Sequence, residues 1–201
     1  MSPPRTSLWF SILDVIVNIV IIVAIVAGIR TFLVSPFQVE GNSMVDTLEH
    51  KEYIVINKLA YFIGKPERGD VVVFRPPNDE SKHYVKRVIG LPGDEVILRG
   101  GSVYLRASGA TEERKLDEPY LNDNNRGHTY QHPPSSGNQE EIRYSVPEGQ
   151  YFLLGDNRQG SMDSRSFPAH TVLEKSIKGR VWFVLLPLSK MHVLVRSEYG
   201  L

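Results

Sequence analysis

Two side chains in this sequence could form a nucleophile and its base. Ser43 lies in "GNSMVDTL", residues 41–48, and Lys86 lies in "YVKRVIG", residues 84–90. A serine hydroxyl is a weak nucleophile until a neighbouring base takes its proton, and a histidine or a neutral lysine can do that. Neutral lysine requires burial among apolar groups or a cationic neighbour, because desolvation disfavours the ammonium. In a strand, Tyr84, Lys86 and Val88 share one face, so Lys86 would sit between an aromatic ring and a branched aliphatic chain. Each residue also has a plainer reading. Ser43 with Asp46 three positions on is close to a capping box, and Lys86 could be a surface lysine that snorkels to water. A third stretch, "GDNRQGSMDSR" at 155–165, crowds polar and charged groups into eleven residues. It reads either as a turn with Asp163 and Arg165 as a solvated pair, contributing little, or as a polar shell that orients a catalytic side chain.

Other chemistries fit less well. No HExxH motif occurs, and His128 and His132 have i,i+4 spacing only within a Gly- and Pro-rich stretch where a helix is improbable. "GNSMV" is one residue short of G-x-S-x-G, with no alternating strand–helix pattern around it. "DNRQGSMD" superficially resembles a calcium loop, but Arg158 stands where an EF-hand needs its second oxygen ligand. Neither a metal nor another cofactor is therefore expected. The 23 basic and 23 acidic residues cancel, which gives no nucleic-acid footprint. Cysteine is absent, so disulfides and thiol nucleophiles are excluded.

The elements that must position Ser43 and Lys86 follow from patterning. Leu8 to Ile29 is a run of 22 mostly apolar residues, about 33 Å long as a helix, enough to span a bilayer. A cleavable signal peptide would have a shorter apolar core and an A-x-A-like end, whereas cutting after Ala27 would place bulky Ile25 at −3. An uncleaved anchor is expected, with Asp14 and Asn18 as its polar cost. Arg5 and Arg30 flank the run on opposite sides, so charge leaves its orientation open. Beyond it, "FQVEG", "EYIVINKLAYF", "GDVVVF", "HYVKRVIG", "DEVIL", "IRYSV", "QYFLL" and "IKGRVWFVLL" read as short strands separated by Pro, Gly and Asn turns. Residues 99–145 are polar and rich in Gly, Asn and Ser, and "HPPSSGNQEE" within them reads as a flexible loop. The pattern is a membrane-anchored, mainly β chain with an insertion in its second half.

Taken together and in this order, the apolar anchor, "GNSMVDTL", "RGDVVVFRPP", "YVKRVIGLPGDEV" and "GDNRQGSMDSR" resemble the bacterial type I signal peptidases, membrane-bound Ser/Lys peptidases of family S26. The resemblance implies a serine endopeptidase that removes signal peptides from exported preproteins through an acyl-enzyme. It implies Ser43 as nucleophile, Lys86 as general base and Ser161 as a hydroxyl that helps to orient the lysine. Asp163 and Arg165 would be a supporting ion pair, and the backbone N–H of Ser43 an oxyanion donor. Some members carry a hydroxyl-bearing residue two positions before the nucleophile, where this chain has Gly41. Asp46 and Pro168 depart from the proline and glycine usual at or near those positions. The implied architecture is a signal-peptidase-like β catalytic domain after one transmembrane helix. Residues 1–7 would form a cytoplasmic tail, 8–34 the anchor in the cytoplasmic membrane, and 35–201 an extracytoplasmic domain with core 35–98 and 146–201 and insertion 99–145. The expected partners are signal-peptide-bearing preproteins and the phospholipid membrane. Rival expectations are another Ser/Lys processing protease or a tethered β domain that binds exported chains without cutting them.

Overall fold

The computed structural model describes residues 8–28, 30, 34–131 and 141–199. The expected tail 1–7 and most of the "HPPSSGNQEE" stretch, His132 included, lie outside the described residues. In the first helix, α1 (Leu8–Gly28), residues 9–27 are exposed, and its Trp9–Gly28 portion has a mean hydropathy of 2.8. Asn18 Nδ2 donates to the Asp14 carbonyl at 2.8 Å, so one polar side chain of the span is satisfied within the helix.

The rest is mainly β. The strands are β1 (Val34–Gln38), β2 (Tyr53–Asn57), β3 (Val71–Phe74), β4 (Tyr84–Gly90), β5 (Glu95–Arg99) and β6 (Ser102–Arg106), then β7 (Arg114–Lys115), β8 (Ile142–Ser145), β9 (Gln150–Leu154), β10 (Val172–Leu173), β11 (Ile177–Leu186) and β12 (His192–Val193). One short helix, α2 (Ala60–Ile63), follows β2. The larger sheet runs β1-β2-β11-β3-β4-β9-β10, with β12 also on β11, and the smaller runs β7-β6-β5-β8. Every pairing is antiparallel.

Period two decides where the core forms. Along β3, Val71 and Val73 enter one apolar cluster with Met44, Leu48, Ile54 and Ile56, while Val72 and Phe74 enter another with Val88, Tyr151, Leu153 and Phe167. A central strand covered on both faces reads as an unbroken apolar run, which is why "VVVF" carries no polar alternation. Likewise, β9 sends Tyr151 and Leu153 to the second cluster, and Phe152 and Leu154 to a third built by the smaller sheet. Each buried Val, Leu or Phe contributes roughly 1.5–3 kcal/mol relative to exposure.

Residues 99–145, an insertion by composition, supply β6, β7 and β8 and thus most of the smaller sheet. Val103, Leu105, Leu116 and Tyr144 from this span are buried in the third cluster.

Candidate active site

Ser43 sits in a turn between β1 and β2. Gly41 has φ +91°, a left-handed conformation open to glycine, and its N–H donates to His50 Nδ1 at 3.1 Å. Met44 and Leu48 are buried beneath the turn. No helix follows Ser43, so there is none for it to cap, and Asp46 accepts from Asn122 Nδ2 at 2.8 Å instead of folding back. The capping-box reading fails because tertiary contacts claim both side chains. Its hydroxyl meets Lys86: Nζ and Oγ stand 2.6 Å apart.

Lys86 is directly opposite Val72 in the β3–β4 register and is only 2% exposed, which removes the surface-lysine reading. Tyr84 and Val88 pack on the same apolar cluster as Val72, as the strand period required, and the Tyr84 ring centroid is 5.5 Å from Nζ. Besides facing Ser43, Nζ donates to the Val85 carbonyl at 2.8 Å. Burial pushes the ammonium down from 10.5 to about 8, against the opposing pull of Asp163 and Asp156 and with help from Arg165. Burial thus makes the free amine accessible near neutral pH.

The segment after β9 closes the site from behind. Asp163 and Arg165 form a fully buried pair, with Arg165 donating from Nε to Oδ1 at 2.8 Å and from Nη2 to Oδ2 at 2.7 Å. Burial raises the Asp163 carboxyl, but hydrogen bonds and charge from Arg165 overcome this and hold it low. Asp163 also accepts the Gly155 N–H at 3.0 Å. A Cβ at Gly155 would stand 2.1 Å from Ser161 Oγ and 2.5 Å from the Ser43 carbonyl oxygen, so a bare backbone is required there. Ser161 is buried in this packing, and its Oγ has no hydrogen-bond partner among the described residues. The arrangement places the Ser161 hydroxyl over Gly155, with no bond between it and the lysine amine. Pro168 is exposed, one residue past the buried Phe167.

Several residues of this shell were not singled out by motif reasoning. Arg87, on the face of β4 opposite Lys86, donates from Nε and Nη2 to buried Asp156 at 2.9 and 2.6 Å, and its guanidinium lies 3.8 Å from the Tyr120 ring centroid. Thr47 of the serine turn bonds the same carboxylate. Arg158 donates to Glu118 and Thr129, and Arg165 to the Tyr130 carbonyl, so residues 118–130 brace the 155–165 segment. Asn157 reaches the serine turn directly, its N–H donating to the Ser43 carbonyl at 3.1 Å and its Nδ2 to the Asn42 carbonyl at 3.0 Å. A charged residue inside an apolar strand was the available signal for Arg87, and its partner sits 69 residues away.

A cleft of about 350 Å³ runs past the dyad, lined by Phe37, Val39, Met44, Val73, Tyr84 and Val85 among others. Its two walls are free strand edges. Among the described residues β1 pairs only with β2, and β4 pairs with β9 only from Arg87 onward, leaving 84–86 open on that side. Among the described residues, no three His, Asp or Glu side chains are grouped so as to hold a metal ion.

The family model for signal peptidase, peptidase S26, matches residues 12–186. Signal peptidase I S of Bacillus subtilis is 38% identical over 182 residues, covering 90% of this chain and 93% of its own. Signal peptidase IB of Staphylococcus aureus is 35% identical over 188 residues, 89% of this chain and 92% of its own. A solved signal peptidase I from Enterococcus faecalis is 31% identical, covers 58% of this chain and 96% of its own, and superposes with a TM-score of 0.44.

Proposed function

The chain belongs to the signal peptidase family, peptidase S26, and we propose that it is a membrane-anchored serine endopeptidase that cuts signal peptides from exported preproteins with Ser43 and Lys86. The observation that carries the assignment of residues is the 2.6 Å contact between a serine hydroxyl and a lysine amine that burial brings down to about 8.

The substrate enters the cleft extended, and the open edges of β1 and β4 supply its main-chain hydrogen bonds, as in strand addition to a sheet. The apolar part of the lining favours apolar side chains ahead of the scissile bond. Neutral Lys86 accepts the Ser43 proton as Oγ attacks the carbonyl carbon, and the Ser43 N–H receives the oxyanion. Collapse breaks the C–N bond, and the leaving amine takes the proton back from Lys86. A water then attacks the ester, with Lys86 again holding the proton until Ser43 Oγ leaves. Asp163, Arg165 and the backbone of Gly155 support this geometry from behind, with Ser161 packed against Gly155.

The anchor is α1, with the catalytic domain on the extracytoplasmic face of the cytoplasmic membrane. The Arg30 carbonyl just past the span accepts from Ser35 Oγ at 3.1 Å and Lys58 Nζ at 3.3 Å, which supports a domain held at the bilayer surface.

The test is cleavage of a preprotein with an A-x-A signal by the detergent-solubilised full chain, with the new amino terminus sequenced. Ser43→Ala and Lys86→Ala are each expected to lower kcat at least about a thousandfold, as when a catalytic dyad is broken. A wild type that binds the preprotein without cutting it would make this chain a tethered binder.

A further inference from the structure

Asn157 holds both carbonyls that flank the nitrogen–Cα unit of Ser43. Its Nδ2 donates to the Asn42 oxygen at 3.0 Å and its own N–H to the Ser43 oxygen at 3.1 Å. The first of these acts on the peptide that contributes the Ser43 N–H. In a trans peptide the carbonyl and the N–H point to opposite sides of the C–N bond. Fixing the Asn42 oxygen towards Asn157 therefore fixes the Ser43 N–H away from it. That N–H has no hydrogen-bond partner among the described residues, and Ser43 lines the cleft. A hydrogen bond at the carbonyl end of an amide also polarises its N–H into a better donor.

The clamp is itself held. Asn157 Oδ1 accepts the Gly160 N–H at 3.0 Å, which orients the amide so that Nδ2 must face Asn42. Its chain neighbours are both buried ion-pair members: Asp156 is bound by Arg87 and Thr47, and Arg158 by Glu118 and Thr129. Gln159, two residues on, is tied to Asn125 through its N–H. A side chain needed only to finish a turn would require the Gly160 bond and nothing more.

We propose that Asn157 is a positioning residue for the oxyanion hole, aiming and polarising the Ser43 N–H through the Asn42 carbonyl. The inference rests on the reading of Ser43 as the nucleophile. Asn157→Asp keeps the size and the bond to Gly160 but opposes the Asn42 oxygen with a second acceptor, whereas Asn157→Ala removes both bonds.

The experiment compares wild type, the two variants and Ser43→Ala as detergent-solubilised full chains. It measures kcat and KM on a preprotein, and inhibition by a peptide aldehyde ending in alanine. The aldehyde probes the hole because Ser43 Oγ adds to its carbon, the hydroxyl proton passes to Lys86, and the resulting alkoxide occupies the oxyanion position. Loss of one oxyanion donor costs about 10²–10³ in kcat, and loss of its support is expected to cost about 10- to 100-fold. KM should stay within about twofold, and aldehyde affinity should fall in parallel with kcat/KM. The acid limb of the pH profile of Asn157→Ala should not move, since Lys86 keeps its surroundings. Should Asn157→Ala unfold, Asn157→Asp decides by the same kcat and aldehyde readings. The inference is overturned if kcat changes less than threefold, if the loss lies in KM, or if aldehyde affinity is unchanged. A wild type without activity, or an active Ser43→Ala, would instead overturn the assignment of Ser43 and leave a different signature.

Discussion

The role proposed for Lys86 rests on its surroundings. Desolvation is the largest influence on it, and it outweighs the two carboxylates, Asp163 and Asp156, that favour the ammonium. The sign of the pH dependence follows. A lysine brought down to about 8 is mostly charged below that pH, and only its neutral form can take the Ser43 proton. Below about pH 8, kcat/KM should climb close to tenfold per pH unit, then level off above it. A kcat/KM profile from about pH 6 to about pH 9 checks this, and a flat profile would exclude Lys86 as the base. The residue types and the β period were legible here: "YVKRVIG" places Tyr84 and Val88 beside Lys86, and both pack where the alternation puts them. Its neighbour Arg87 was less legible. The residues that neutralise it come from elsewhere in the chain, and no local pattern records a pairing across 69 positions.

At the scale of elements, the site is two turns pressed against one strand. The turn after β1 brings Ser43, β4 brings Lys86, and the segment after β9 seals both from behind. Gly155 is where the two turns touch. Gly155→Ala would put a methyl group into Ser161 and the Ser43 carbonyl. Overpacking of this kind costs about 1–3 kcal/mol of stability. A displacement of the nucleophile approaching 1 Å costs about 100-fold in rate. The variant is expected to lose far more activity than its denaturant midpoint implies, which paired kcat/KM and unfolding measurements would show. Strands were easiest to read where both faces are apolar, as in β3. They were hardest to read in β6 and β7; β6 buries Val103 and Leu105 on one face and turns Arg106 outward on the other, whereas "IRYSV" had announced β8. Arg99, Arg106 and Arg143 pair with Glu95, Glu113 and Glu141 across that exposed face. Composition alone makes such strands look like a polar insertion.

Beyond α1 the molecule is a pair of sheets whose cores meet across β9, a strand of the larger sheet that packs on both. Phe152 packs in the cluster of the smaller sheet, its ring centroid 4.9 Å from that of Tyr144, while Tyr151 and Leu153 pack under the larger sheet. Phe152→Ala is expected to destabilise the protein by about 3–5 kcal/mol. Because one strand feeds both cores, the β part of the chain should still unfold in a single transition at a lower denaturant midpoint. Two separated transitions would instead mean that residues 99–145 fold as an independent unit. The close packing of residues 118–130 on the segment that braces the dyad argues for one cooperative unit.

By itself, the sequence determined the kinds of element and the candidate chemistry: an apolar span, short alternating strands, a serine in a turn and a lysine between apolar neighbours. These are local properties, set by side-chain type and by the periods of helix and strand. Only the tertiary structure decided that Ser43 and Lys86 meet at 2.6 Å, that Asp46 turns to Asn122, and that Asn157 clamps a peptide 115 residues away. Those are contacts between segments far apart in the chain, chosen by which apolar faces pack together and which buried charges then find partners.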